Sequence, residues 1–253
     1  MKKLVTLSIA GFDPSAGAGV LADIKAFEQN GVYGMGVVSA LTFQNDTEFD
    51  GVEWVGAEKI IRQLEVLLRK FEIQHFKIGL IESMGVLQEI VRYLRSKIAE
   101  PVIVWDPILK ASAGFVFHEP SVELPQSLIE SVYCITPNIP EAIQIFGADN
   151  LNNKLEVASE QLNIYLKGGH GEDGIITDLL FVSDHTYAFP NDRLPNGTKH
   201  GSGCVLSAAL TAQLALGRSL PDAAELANGY TYKFLASNDT LLGYHQMIQN
   251  EAY

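Results

Sequence analysis

Six short apolar runs in this sequence each end in glycines or in residues able to do polar chemistry. Gly11 and Asp13 follow the run from Leu4 to Ile9, Gln44 and Asn45 follow Gly36 to Thr42, and Gly79 follows His75 to Ile78. Asp106 follows Val102 to Trp105, Asn138 follows Tyr133 to Thr136, and Lys167-Gly168-Gly169 follows Ile164 to Leu166. Short apolar runs of this kind read as buried strands. If the strands are parallel, their carboxyl ends share one sheet edge, where α/β proteins bind ligands. Taken singly, each residue is equally an ordinary polar loop position. Taken together, they describe a site.

Two glycine-rich stretches add to it. Gly11-Phe12-Asp13-Pro14-Ser15-Ala16-Gly17-Ala18-Gly19 runs from the first strand into a helix. Gly17, Gly19 and Ala22 have dinucleotide-fingerprint spacing, but Gly17 lies well past the strand end and the next strand ends in Thr42-Phe43-Gln44 rather than in an acid. A loop that lets a ligand approach its backbone fits better. His200-Gly201-Ser202-Gly203-Cys204 feeds a second helix, and a glycine turn opening a helix is an anion site, with free N–H groups and the helix dipole pointing outward. It is not a Walker A loop, since no Gly-Lys-Ser/Thr follows. Cys204 falls in the first helical turn, where a thiol is expected to have a lowered pKa and could take a proton from an alcohol. The plain alternative is a small cysteine packed behind the loop.

Three further stretches carry charge. In Thr136-Pro137-Asn138-Ile139-Pro140-Glu141 an amide and a carboxylate suit Mg²⁺ held mostly through water, while the same pair three residues apart also reads as a helix capping box. Asp106, between Trp105 and Pro107, is either structural or a metal or hydroxyl partner. Lys167 is either a point charge for phosphate or a solvated loop lysine.

The elements that must position these residues alternate between strand and helix. Helical spacing recurs in Val20, Ile24 and Phe27, in Ile60, Ile61, Leu64, Leu67 and Leu68, and in Val86, Leu87, Ile90, Val91 and Leu94. A helix is expected from about Pro140, an antiparallel pair within Ile175 to Phe189, and two closing helices over Cys204 to Leu216 and Leu220 to Ser237. This alternation implies a mostly parallel sheet covered by helices on both faces, a three-layer αβα sandwich. No repeat or linker divides the chain, so residues 1–253 are expected to form a single domain. With 47% apolar residues a sizeable core can form, and a net charge of −12 disfavours nucleic acid and anionic membranes as partners. Two cysteines, Cys134 and Cys204, allow at most one bridge and suit a reducing, cytoplasmic compartment. The N-terminal Met1-Lys2-Lys3 and the apolar run after it read as a first strand rather than a signal peptide, and no apolar stretch reaches membrane-span length.

In the order found here, these motifs resemble the hydroxymethylpyrimidine/phosphomethylpyrimidine kinase family of the ribokinase-like fold. The resemblance rests on Ile9 to Gly19 with Ala22-Asp23, on Ala40 to Asn45, on Lys77-Ile78-Gly79, Asp106-Pro107 and Thr136-Pro137-Asn138, and on Lys167-Gly168-Gly169-His170 and His200 to Cys204. Cysteine at 204, where sugar kinases of this fold carry aspartate, is the most specific feature. The resemblance implies an ATP- and Mg²⁺-dependent kinase that phosphorylates the hydroxymethyl group of 4-amino-5-hydroxymethyl-2-methylpyrimidine in thiamine biosynthesis, and it leaves open a second transfer to the monophosphate. It implies Cys204 as general base and Gly201, Ser202 and Gly203 as anion hole. Gln44 would read the aminopyrimidine edge, with Gly11, Asp23, Leu80 and the backbone of Ile108 completing the substrate pocket. Asp106 and Glu141 would be Mg²⁺ and water ligands, and Asn138, Lys167 and Gly169 would face the nucleotide. A homodimer is implied as well. The chain departs from the family at Ala111-Ser112-Ala113-Gly114, where a loop lysine is usual, and at Leu241 to His245 in place of a glycine-rich ending. Pyridoxal kinase activity and a catalytically inactive pyrimidine-binding protein are the competing readings.

Overall fold

The computed structural model describes residues 4–109, 124–168 and 174–246. Nine strands, β1 (Val5–Phe12), β2 (Tyr33–Gln44), β3 (Phe49–Trp54), β4 (His75–Ile78), β5 (Val102–Trp105), β6 (Cys134–Ile135), β7 (Asn163–Leu166), β8 (Ile175–Val182) and β9 (His185–Asp192), form one sheet in the order β3-β2-β1-β4-β5-β6-β7-β8-β9. The central pairings from β2 through β7 are parallel; β3, β8 and β9 join antiparallel at the edges. The strand order reverses direction beside β1, and in an open α/β sheet such a reversal opens a crevice at the carboxyl ends.

Helices cover both faces. On one side lie α2 (Ala57–Leu68), α3 (Met84–Lys97), α4 (Gln126–Ile129), α5 (Ile139–Phe146) and α6 (Leu151–Ala158), which bury Ile60, Leu64, Leu87, Ile90, Leu94 and Leu155 against the sheet. On the other lie α1 (Gly19–Gln29), α7 (Ser202–Ala215) and α8 (Leu220–Leu235), packed around Phe27, Val205, Leu210 and Phe234. The expected three-layer sandwich is therefore what forms. Helix α7 is buried along its whole length from Cys204 to Ala215, which is why its sequence is apolar and small all round rather than striped. Ser83 and Ser219 cap α3 and α8 by accepting from Val86 N–H and Asp222 N–H, and prolines stand in the first turns of α5 and α8.

Three elements were not anticipated: β3, α4 and α6. β2 also runs on to Gln44, two residues beyond the expected end at Thr42, because it pairs with β3 on its outer side. Cys134 and Cys204 are both free and buried, so the single permitted bridge is not made. Among the described residues no helix is long and apolar enough to cross a membrane.

Candidate active site

The parallel ladder fixes where each strand-end residue stands. Its hydrogen bonds continue past the strands: Gly79 N–H donates to Ile9 O, Asp106 N–H to Ile78 O, Thr136 N–H to Trp105 O, and Lys167 N–H to Pro137 O, all at 2.8–2.9 Å. Successive strand ends are thereby held in one row above the sheet. They line a cavity of about 280 Å³ whose walls are Gly11, Thr42, Gln44, Leu80, Asp106, Ile108, Asn138, Glu141 and Lys167 together with His200 to Cys204. A larger groove of about 880 Å³ lies at the other end of the strands, near Val5 and His75, but is lined by no glycine loop and by none of the candidate catalytic, substrate, nucleotide or metal residues named from the sequence.

The cradle at the start of α7 is made of backbone. Gly201 is left-handed (φ 74°), and a Cβ there would overlap the carbonyl oxygen of Gly17. The two glycine-rich loops thus touch main chain to main chain, a contact only glycine permits. A Cβ on Gly203 would lie 3.1 Å from Lys167 Nζ and 4.0 Å from Asp106 Oδ2, so the helix start, the lysine and the carboxylate converge on one spot. Asp13 ties the loops together. Its carboxylate accepts from Ser15 N–H at 2.9 Å, from Ala18 N–H at 2.8 Å and from His200 Nε2 at 2.8 Å. Burial opposes ionisation of Asp13, but His200, Ser15 and Ala18 outweigh it and hold the carboxyl below its ordinary range.

Lys167, Asp106 and Glu141 form the charged floor. Lys167 Nζ donates to Asp106 Oδ1 at 2.6 Å and stands 3.9 Å from Glu141 Oε2. Asp106 also accepts from Thr136 Oγ1 at 3.3 Å and from Ser207 Oγ on α7 at 3.1 Å. Burial raises the Asp106 carboxyl, yet Lys167, Lys77 and these hydrogen bonds pull it below its usual value. Asn138 and Glu141 do make the capping box: Glu141 Oε2 accepts from Asn138 N–H and Asn138 Oδ1 accepts from Glu141 N–H, both at 2.8 Å. The capping reading and the wall of the site are the same two side chains. Burial, partly offset by Lys167 and reinforced by Asp106, pushes Glu141 up to about 6.

That shift has a sign. The folded protein holds the Glu141 proton more tightly than the unfolded chain, so the group's contribution is fully present below the ordinary carboxyl range and is lost as pH rises through about 6. At pH 8 the ionised group then opposes folding by on the order of 1–2 kcal/mol. Glu141→Gln, which keeps the cap geometry, is expected to raise the melting temperature of the ligand-free protein at pH 8 and to lose most of that advantage near pH 5. Equal gains at both pH values would refute the assignment.

Two expectations are corrected here. Cys204 has no lowered pKa: burial pushes the thiol up to about 11, Lys77 pulls it down, and Asp23 and Asp106 push it further up. The helix start is real, but the site is dry and two carboxylates lie near the sulfur. Asp23 is not on the cavity wall. It is fully buried beneath, bound by Lys77 Nζ at 2.8 and 3.0 Å and by Ser8 Oγ at 2.5 Å. Gly11, Gln44, Leu80, Ile108, Asp106, Asn138, Glu141, Lys167, Gly201, Ser202, Gly203 and Cys204 are all brought together. Gly169 and Ser112 lie outside the described residues. Ala18 and Thr42 on the wall, and Lys77 below it, were not assigned roles from sequence. Lys77 carried a signal all the same, because a lysine inside an apolar strand demands a buried partner.

Comparison with known proteins agrees with this architecture. The family model for phosphomethylpyrimidine kinase matches residues 13–249. The hydroxymethylpyrimidine/phosphomethylpyrimidine kinase of Bacillus subtilis (strain 168) is 34% identical over 235 residues, covering 88% of this chain and 86% of its own. Its namesake in Escherichia coli (strain K12) is 31% identical over 251 residues, covering 95% and 94%. The crystal structure of phosphomethylpyrimidine kinase from Clostridium difficile 630 superposes with a TM-score of 0.74 at 32% identity, covering 91% of this chain and 99% of that one. Pyridoxal kinase from Staphylococcus aureus in complex with ADP has a TM-score of 0.81 at 24% identity, covering 99% and 96%, a likeness of fold.

Proposed function

The chain belongs to the phosphomethylpyrimidine kinase family, and from that premise we propose how its own residues carry out the reaction. The protein is a kinase of thiamine biosynthesis that transfers phosphate from ATP to the hydroxymethyl group of the aminopyrimidine. The observation that carries the assignment of roles is the convergence of the Gly201–Cys204 cradle, Lys167, Asp106 and Gln44 in one cavity.

In this reading the pyrimidine ring lies against Gly11, Gln44, Leu80 and the Ile108 backbone, with its hydroxymethyl group toward Cys204. The N–H groups opening α7 take the transferring phosphoryl group, whose charge they stabilise without reorganising. The substrate oxygen attacks the terminal phosphorus of ATP in line. The bond from that phosphorus to the bridging oxygen breaks, ADP leaves, and the hydroxyl proton passes to the Cys204 sulfur. Lys167 is held by Asp106 at the edge of the cradle, placed to neutralise the nucleotide phosphates, with Asn138 beside it.

Two carboxylates, Asp106 and Glu141, share the single lysine Lys167 here, which leaves a negative charge for a cation to balance. The residues therefore suit Mg²⁺ carried on the ATP phosphates, approached by Glu141 through water. Asp106, already committed to Lys167, Thr136 and Ser207, would act from behind by holding Lys167. The ion would draw charge from the phosphoryl oxygens.

The family resemblance also implies a homodimer in the cytoplasm. Leu41 and Phe43, exposed on the β2–β3 ribbon, are apolar surface available to a second copy, and the two free cysteines suit a reducing compartment. Sedimentation would decide the oligomeric state.

ATP consumption measured side by side with the pyrimidine alcohol, its monophosphate and pyridoxal tests the function, and turnover of the first is the expected result. Preference for pyridoxal would move the chain to the competing activity. Gln44→Ala is expected to raise the KM for the pyrimidine about tenfold or more, as loss of a hydrogen-bonding amide in a partly buried pocket should. A change confined to the KM for ATP would take Gln44 out of the substrate pocket.

A further inference from the structure

We propose that Thr42 sets the preference for an aminopyrimidine over a hydroxypyridine by fixing which end of the Gln44 amide is offered to the ring. This rests on the reading above, in which Gln44 touches the substrate. The two ends of a glutamine amide are alike in shape and opposite in chemistry, one an acceptor and the other a pair of donors, and only the surrounding hydrogen bonds decide between them.

Here the network starts from an atom with no choice. The backbone oxygen of Phe12 can only accept, so the Thr42 hydroxyl, 2.8 Å away, donates to it. The single proton of Thr42 is then committed, and its oxygen can only accept from the next partner. That partner is Gln44 Nε2 at 2.9 Å. Turning the amide over would set two oxygens against each other with no proton between them. Thr42 is buried, so water is poorly placed to repair the mismatch, and its methyl group packs 3.6 Å from where a Cβ on Gly11 would stand. The side chain is also held on β2 in register with Val52 of β3.

The consequence reaches the cavity. Gln44 lines it, and the amide oxygen has no hydrogen-bond partner among the described residues. A ring carrying an exocyclic amino group supplies the donor that this oxygen lacks. A ring carrying an ionised hydroxyl brings a second acceptor and leaves two lone-pair oxygens facing each other. A site built to pair with a donor discriminates against an analogue without one. Thr42 touches neither reacting atom. It is a specificity-determining residue acting through Gln44.

The test is the ratio of kcat/KM for the 4-aminopyrimidine alcohol to kcat/KM for pyridoxal, measured in the wild type, Thr42→Val and Thr42→Ser. The valine variant keeps the shape and removes the hydroxyl, and the serine variant keeps the hydroxyl. The ratio is expected to fall about tenfold in Thr42→Val, mainly through KM, the effect of one neutral hydrogen bond in a buried site, and to be kept in Thr42→Ser. Thr42→Ala serves in place of valine should that variant fail to fold. A ratio unchanged in a folded hydroxyl-free variant, with the wild type still preferring the pyrimidine, overturns this inference and leaves the function standing. A wild type that phosphorylates neither compound overturns both.

Discussion

Cys204→Ala is expected to lower kcat by two to four orders of magnitude, the range for loss of a general base, while binding the pyrimidine alcohol within a few-fold of the wild type. Cys204 lines the cavity from the first turn of α7 and the residue is only 6% exposed, so the alanine variant loses a proton acceptor and little surface. Isothermal calorimetry separates binding from turnover, and an alanine variant with near-normal kcat would end the general-base role. The wild-type pH profile carries the same argument. With the free thiol pushed up to about 11, only a small fraction is ionised at neutral pH. A base works in its deprotonated form, so kcat/KM, which reports the free enzyme, is expected to climb steadily from pH 7 toward pH 10 and to lose that slope in Cys204→Ala. A flat profile above pH 7 would show that the proton goes elsewhere.

Lys77→Met is expected to destabilise the fold by about 3–5 kcal/mol, because it strands a carboxylate with no counter-charge in the interior. Both members of the Lys77–Asp23 pair are fully buried. Burial opposes the charge on Lys77, but Asp23, Cys204 and Asp106 outweigh it and keep the lysine protonated well above its ordinary range. Burial raises Asp23 against the pull of Lys77 and Ser8, the expected cost of a carboxylate in a dry site. Removing both charges should be far milder than removing one, since well-packed apolar replacements of buried pairs are often neutral. Urea denaturation of Lys77→Met, Asp23→Leu and the double variant forms the cycle. A loss below about 1 kcal/mol in the lysine variant would mean that water or relaxation already compensates the pair. The folded fraction of Lys77→Met should also be slow, because Lys77 pulls the Cys204 thiol toward ionisation.

Most of the regular elements that the sequence announced bury one face or their whole surface, the exposed edge strand β9 being an exception. β4 and β5 have the expected bounds at His75–Ile78 and Val102–Trp105, and the antiparallel pair expected within Ile175 to Phe189 forms as β8 and β9, the latter running on to Asp192. β3 escaped notice because Phe49–Trp54 is a half-exposed edge strand that contains Gly51 and follows a polar run, so pairing with β2 rather than its own pattern makes it a strand. Helix α6, Leu151–Ala158, buries only Leu155 completely and shows too weak a stripe to read.

For the site, the same division holds with more at stake. The row of strand-end residues and the glycine cradle were legible, because parallel strands must end on one edge and a helix start must present its amides. The partners were not. That Asp13 binds His200, that Lys167 belongs to Asp106, that Asp23 sinks beneath the floor onto Lys77, and that Thr42 governs Gln44 all depend on where distant segments return. The Cys204 thiol shows the limit most clearly. Its position in the first helical turn is a local fact that argues for a thiolate, while its burial and its two acidic neighbours, Asp23 on α1 and Asp106 after β5, come from distant segments and argue the other way. Sequence determines backbone geometry through short-range sterics and periodicity. The state of a charge is set by everything within several ångströms of it, and only the packed fold decides what that is.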